Sequence, residues 1–164
     1  PIQRSVGTVV LAGLLLACIL RTQTWSTEVS LWADAASKAP QSAEAQYGHG
    51  EAQFYASGDL SLPEAEREAL DAVAAYQKAV EIDPEYLAAW NKLGIAHAQQ
   101  GENLAAIAAW QALLSLDQEH CKAHTNLGKT FVTMGQTMEG LRELESAVAY
   151  CPNHAPPHYF LGLR

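Results

Sequence analysis

His120, Cys121 and His124 form an H-C-x-x-H run, and His154 and His158 repeat its histidines 34 residues later, with Cys151 just before them. Imidazole and thiolate are ligands that zinc prefers, and histidines four apart share one helix face. Each of these residues also has a structural use. His120 and His154 fall between expected helices, whereas His124 and His158 stand in a column of large residues headed by Trp90, so packing accounts for them and no metal ligand is assigned. Cys121 opens one expected helix and Cys151 closes its antiparallel partner. Two states are open to them: a disulfide, which needs Cα atoms within ~7 Å, or two buried thiols, which the reading favours. A bridge would indicate an oxidising compartment. Other serines, histidines and acids form no nucleophile elbow, Gly-rich phosphate loop or recognisable carboxylate pair. The expectation is a chain that is not itself an enzyme and carries no catalytic residue, cofactor or metal.

The elements that place these residues recur along the chain. Gly50, Gly94, Gly128 and Gly162 are spaced 44, 34 and 34 residues apart, and the same intervals separate Trp32, Tyr76, Trp110 and Leu144. Two further columns keep that register: Ala35, Ala79, Leu113 and Ala147, and then Pro40, Pro84, Gln118 and Pro152. A fixed period of this size marks a repeat array. Such units pack only on their neighbours and present an extended face, which points to binding.

The pattern resembles the tetratricopeptide-repeat family. A first helix carries a large residue and a Leu-Gly pair, as Trp90-Leu93-Gly94, His124-Leu127-Gly128 and His158-Leu161-Gly162. After a glycine turn at Gly101 or Gly135, a second helix carries Ala106-Trp110-Leu113 or Gly140-Leu144-Ala147. Gln118 departs from the proline column and Gly140 from alanine; a mid-helix glycine costs ~1 kcal/mol relative to alanine, so Gly140 marks a tight crossing. The resemblance implies an all-α, right-handed α-solenoid of helix-turn-helix units. Helices are expected at 28–38, 43–57, 62–82, 87–100, 104–116, 121–134 and 138–150, with Trp90, Leu93, Trp110, Leu127 and Leu144 buried.

Residues 1–24 hold an apolar, uncharged stretch at 6–20 between Arg4 and Arg21, with Trp25 beyond. Fifteen helical residues span ~22 Å, short of a ~30 Å hydrocarbon core unless arginines snorkel and tryptophan anchors the interface. A transmembrane helix, a secretory signal and a buried amino-terminal hydrophobic helix all fit that length. As a signal, Leu15-Leu16-Ala17-Cys18 resembles a bacterial lipobox. Membrane attachment through 6–20 is the expectation, with the array extracytoplasmic, periplasmic or lumenal. A half-repeat helix follows at 25–42, then the array at 43–164, divided as 43–86, 87–120, 121–154 and an incomplete 155–164. The first unit is ten residues longer; Ser61, Pro63 and Glu64 read as a capping box that starts an extended second helix. With Pro1 in place of Met and an incomplete unit at Arg164, the expectation is a piece of a longer protein. The order of segments resembles the junction in transmembrane and tetratricopeptide-repeat O-mannosyltransferases and related polytopic glycosyltransferases. That resemblance implies an accessory tail that recruits acceptor protein, and a lipoprotein assembly factor for pili or outer membrane is a further alternative.

With 18 acids against 10 bases the net charge is −8, and no Lys/Arg cluster tracks a phosphate backbone, so nucleic acid is excluded as a partner. The family binds extended peptides on the inner face of its first helices. The matching positions are Glu44, Tyr47, Glu51, Phe54 and Tyr55, then Asn91, Ile95 and Gln99, then Lys122, Thr125, Asn126 and Lys129. Chaperone-binding members use a two-carboxylate clamp, part of which Lys122, Asn126 and Lys129 keep, whereas Tyr47 and Glu51 occupy clamp places in the first unit. The expected role is a membrane-tethered scaffold for a protein or peptide partner, its groove running from acidic and aromatic to basic.

Overall fold

The computed structural model describes residues 27–59 and 62–152. These form seven α-helices: α1 (Glu28–Lys38), α2 (Ala43–Ala56), α3 (Leu62–Ile82), α4 (Leu87–Gln99), α5 (Asn103–Leu116), α6 (Cys121–Thr133) and α7 (Thr137–Tyr150), with a 3-10 turn at Ser57–Asp59. No strand occurs among the described residues. Consecutive helices pack on one another throughout, and α4 also touches α6, so the chain stacks as a solenoid of helical hairpins. Residues 6–20, Cys18, Trp25, Ser61, His154, His158 and the unit at 155–164 lie outside the described residues.

Local chemistry sets the helix ends. Thr27 caps α1 by accepting from Ser30 N while the Ser30 side chain bonds back, and Ser42 Oγ accepts from Ala45 N to start α2. Gly101 and Gly135 take positive φ, 76° and 80°, and close α4 and α6 with the same pair of bonds. Glu102 N donates to His97 O and Gly101 N to Ala98 O; Gln136 N and Gly135 N repeat this on Phe131 O and Val132 O. The turns between units repeat as well: Asp83 Oδ1 accepts from Glu85 N, and Asp117 Oδ1 accepts from Glu119 N. An aspartate turn therefore ends both helices, and for this reason Gln118 in the proline column leaves α5 unchanged.

Packing rests on glycines in the first helices. A methyl group built on Gly50 would lie 2.8 Å from the Tyr76 ring, on Gly94 2.5 Å from the Trp110 indole, and on Gly128 2.9 Å from Leu144 Cγ. Gly48 meets the Trp32 ring in the same way, which seats α1 on α2. Baring the backbone at these points lets the large residue of the facing helix bury fully: Trp110 is 1% exposed, and Tyr76, Leu113, Leu127 and Leu144 are equally enclosed. Leu93 is buried as expected, but Trp90 is only half-buried. Its Nε1 donates to Pro84 O at 2.8 Å, so the ring stays at the turn instead of entering the core.

In the third unit Gly140 faces Gly128 across the crossing, its hypothetical Cβ 2.7 Å from Gly128 O. That close approach brings the ends of α6 and α7 together, and Cys121 and Cys151 form a disulfide with Cα atoms 6.1 Å apart. This corrects the expectation of two free thiols. His120 Nδ1 caps α6 by accepting from Ala123 N, and His124 stacks on Tyr150 with ring centroids 5.5 Å apart. His124 Nδ1 lies 2.7 Å from Glu143 Oε2 and Nε2 lies 2.9 Å from Gln118 O. The bond to Glu143 holds the His124 pKa above its usual value against the opposing effect of burial, helped by Gln118 O.

Two stability outcomes follow from these contacts. Gly94→Ala should lower the unfolding free energy by about 1–2 kcal/mol in urea denaturation, the indole clash outweighing alanine's better helix preference. Gly58→Ala, where a Cβ meets nothing within 4 Å, should change it by less than about 1 kcal/mol. A Gly94→Ala protein as stable as the parent would refute the packing argument. Because His124 is raised on folding, its pairing with Glu143 stabilises fully below an unfolded value of about 6.5 and is lost as pH rises through the folded pKa. The melting-temperature gap between the parent and Glu143→Gln should therefore be widest near about pH 6 and narrow towards about pH 8; a gap that widens would contradict the ionic pairing.

Candidate peptide-binding groove

Helical spacing puts Tyr47, Glu51 and Tyr55 on one face of α2, and the stacking of α4 beside it sets Lys92 against them. Lys92 Nζ lies 2.7 Å from Glu51 Oε1 and 3.3 Å from Tyr55 Oη, and sits 5.6 and 5.0 Å from the centroids of the Phe54 and Tyr55 rings. The same Glu51 oxygen accepts from Tyr76 Oη at 2.6 Å. A carboxylate, an ammonium and two phenols thus close one network between the first and second units. Burial alone would lower the Lys92 pKa, but the bonds to Glu51 and Tyr55 outweigh it and hold the ammonium charged. Burial, then the bond to Glu51, pushes the Tyr76 phenol far up. Tyr47 is raised by burial first and by the Glu51 charge second.

The aromatic residues divide by burial. Tyr47 packs on Tyr76 and Tyr86 with centroids 5.8 and 5.1 Å apart, and Phe54 also lies against the core. Tyr55, 64% exposed, is the ring that faces outward. Of the residues expected to contact a ligand, Tyr47 and Phe54 are therefore half-buried supports at the core's edge, and Glu44 is exposed at the start of α2.

Further along, Ile95, Gln99, Asn126 and Lys129 line one open recess of about 240 Å³ between α4 and α6, with Trp110 and Thr130 also in its wall. Lys122 is exposed at the start of α6. Asn91 is half-buried, and its Oδ1 is enclosed without a hydrogen-bond partner. Thr125 is placed differently from the expectation: it is 3% exposed, and its hydroxyl donates to Cys121 O at 2.7 Å within its own helix. A side chain spent on its own backbone has no donor left for a peptide.

Lys92 and Tyr76 are the residues that the sequence reading missed. Lys92 stands one 34-residue period before Asn126, so the column that selects Asn126 also contains it. Among the described residues no group of three histidines, cysteines or acids is arranged to hold a metal ion, and Cys121 and His124 are engaged in the disulfide and the Glu143 pair. The groove consequently offers hydrogen bonds, charge and aromatic surface.

Residues 71–101 match the family described as TPR repeat, and no curated protein matches the chain. Among solved structures, a crystal structure of MamA is 24% identical with a TM-score of 0.66, covering 74% of this chain and 66% of that one. A second MamA structure aligns over 61% of its own length, so the chain spans just under two-thirds of the MamA proteins that it matches. TTC0263, a thermophilic TPR protein of Thermus thermophilus, gives a TM-score of 0.71 at 16% identity, covering 82% of this chain and 69% of that one. The first TPR of Spaghetti (RPAP3), solved with the HSP90 peptide SRMEEVD, gives 0.64 at 16% identity, covering 74% and 89%. The chain carries a TPR repeat at residues 71–101, and its fold is the helical solenoid of tetratricopeptide-repeat proteins.

Proposed function

We propose that this chain is a membrane-tethered scaffold that binds an extended peptide segment of a partner protein along the inner faces of α2, α4 and α6. The observation that carries the reading is the single recess shared by Ile95, Gln99, Asn126 and Lys129, which come from two units and converge only through the stacking. Peptide binding by the Spaghetti repeat, whose ligand SRMEEVD ends in acids, supports the choice of ligand class. Lys129 and the exposed Lys122 set the acidic end of the ligand beside α6. At the other end Glu51 is already paired with Lys92, so Tyr55 offers an aromatic anchor and not a free acid.

Attachment to a membrane through residues 6–20 rests on their apolar, uncharged sequence between arginines. Among the described residues no helix is long and apolar enough to cross a membrane. The Cys121–Cys151 disulfide supports an extracytoplasmic array, because such bridges persist where the surroundings oxidise.

Two measurements test this reading. In binding kinetics against peptides of one length and graded charge, acid-ended peptides should bind best. Lys122→Glu with Lys129→Glu should slow their association by about tenfold at low salt and flatten its salt dependence, whereas Tyr55→Ala should mainly speed dissociation. Equal binding of acidic and basic peptides would remove the groove as the recognition surface. In liposome flotation the full chain should rise with the vesicles, and deletion of residues 1–24 should abolish this while preserving the helical circular dichroism. Loss of helicity on deletion would mean that the segment belongs to the core.

A further inference from the structure

Cys121 is the first residue of α6 and Cys151 follows the last residue of α7, so the antiparallel hairpin joins two sulfurs that stand at opposite poles of their helices. Both cysteines are half-buried. They open onto one recess of about 370 Å³, whose other walls are Asp117, Glu119, His120 and Lys122. Those four residues belong to the turn between α5 and α6 and to the first turn of α6. The bridge therefore lies at the edge of the array, apart from the enclosed Leu127, Leu144 and Ala147, and is open to a reagent from solvent.

A thiolate that attacks a disulfide forms a bond to one sulfur and expels the other, and the better the expelled sulfur carries negative charge the faster it leaves. The two helix poles differ in this respect. The amino end of α6 favours negative charge on Cys121, and Lys122 is its neighbour. The carboxyl end of α7 presents carbonyl oxygens and disfavours such charge on Cys151, whose own N–H is already given to Ala147 O at 3.0 Å. Glu119 works against Lys122, while Asp117 is engaged in accepting from Glu119 N at 3.2 Å. The bridge also decides how firmly α7 ends. Tyr150, stacked on His124, is half-exposed, whereas Leu144 and Ala147 are fully enclosed, so opening the bridge frees the last turn and leaves the rest of the helix docked.

We propose that the Cys121–Cys151 bridge is a thiol–disulfide exchange site, at which the thiolate of a dithiol reductant attacks Cys151 Sγ and displaces Cys121. A bond forms between the reductant's sulfur and Cys151 Sγ as the bridge breaks, and the electron pair of the bridge leaves on Cys121 Sγ, which then takes a proton from water. The reductant's second thiol, once deprotonated, attacks its own first sulfur and releases Cys151. Two electrons thereby pass to the chain, whose cysteines end as thiols, and the dithiol ends as a disulfide. The bridge persists where the surroundings oxidise and opens where such a dithiol is supplied, which frees the end of α7.

The test treats the full chain carrying Cys18→Ser, which removes the third cysteine, with 2-mercaptoethanol as a one-thiol probe. Early samples are quenched with N-ethylmaleimide and digested with trypsin, which cuts at Lys122, Lys129 and Arg142 between the two cysteines. Mass spectrometry should find the mercaptoethanol adduct on Cys151 with maleimide on Cys121, in about threefold or greater excess over the reverse arrangement. The rate should rise in proportion to thiol concentration while the helical circular dichroism is unchanged. An adduct divided evenly, an excess on Cys121 or no adduct at all would overturn the proposal. So would a rate that levels off as thiol is added, the mark of a bridge that is reached only when the chain unfolds.

Discussion

The contact between a bared glycine and a large side chain on the facing helix holds each unit together, and the rest of the structure follows from it. Gly50 with Tyr76, Gly94 with Trp110 and Gly128 with Leu144 place the backbone of a first helix directly on a ring or branched chain of the second. No side chain stands between them, so the helices approach as closely as their backbones and the large residue permit. Where the partner shrinks to Leu144, Gly140 lets the helices close further, and the disulfide bridges their adjoining ends. Once the crossings are fixed, the inner faces of α2, α4 and α6 are fixed too. Ile95 and Lys129 then share one wall although a whole repeat separates them.

Charge gives that surface its direction. A lysine beside an acid and two rings would be unremarkable on a single helix, but here Lys92 joins α4 to α2 and neutralises Glu51 in the act. The acidic end of the groove, as written in the sequence, is therefore satisfied from within. Exposed to solvent are the phenol of Tyr55 and Lys122 at the start of α6. The other face differs, since Gln53 Oε1 and Glu68 Oε2 are enclosed without donors where the neighbouring unit pairs His97 with Glu102 at 2.6 Å. One repeat thus carries different chemistry on its two sides, because the columns that stack units and the columns that face solvent lie on different helical faces.

Periodicity made the helices legible to within a residue or so at most ends, because glycine turns and column spacing act locally. The glycine crossings were legible too, Gly140 included. Contacts that depend on reach across units were not. Lys92 was passed over because a long side chain chooses its partner only after α4 is set beside α2. Trp90 was expected in the core, but its indole N–H found Pro84 O at the turn. Thr125 sits in a groove column yet turns its hydroxyl onto its own helix. The cysteine pairing turned on a distance that spacing alone could not distinguish from two packed thiols. Asp83 and Asp117 end helices as firmly as the proline column, a local signal that was present and overlooked.

The central claim is that stacking gathers residues of α2, α4 and α6 into one recognition surface for an acid-ended peptide. Backbone amide shifts of the full chain, recorded as an acidic decapeptide is added, test it most directly. The account predicts that the perturbed amides trace a continuous line from Tyr55 and Lys92 through Ile95 and Gln99 to Asn126 and Lys129, with the acidic terminus of the peptide at the α6 end. Perturbations confined to the outer faces of α3 and α5, or scattered without continuity, would contradict it.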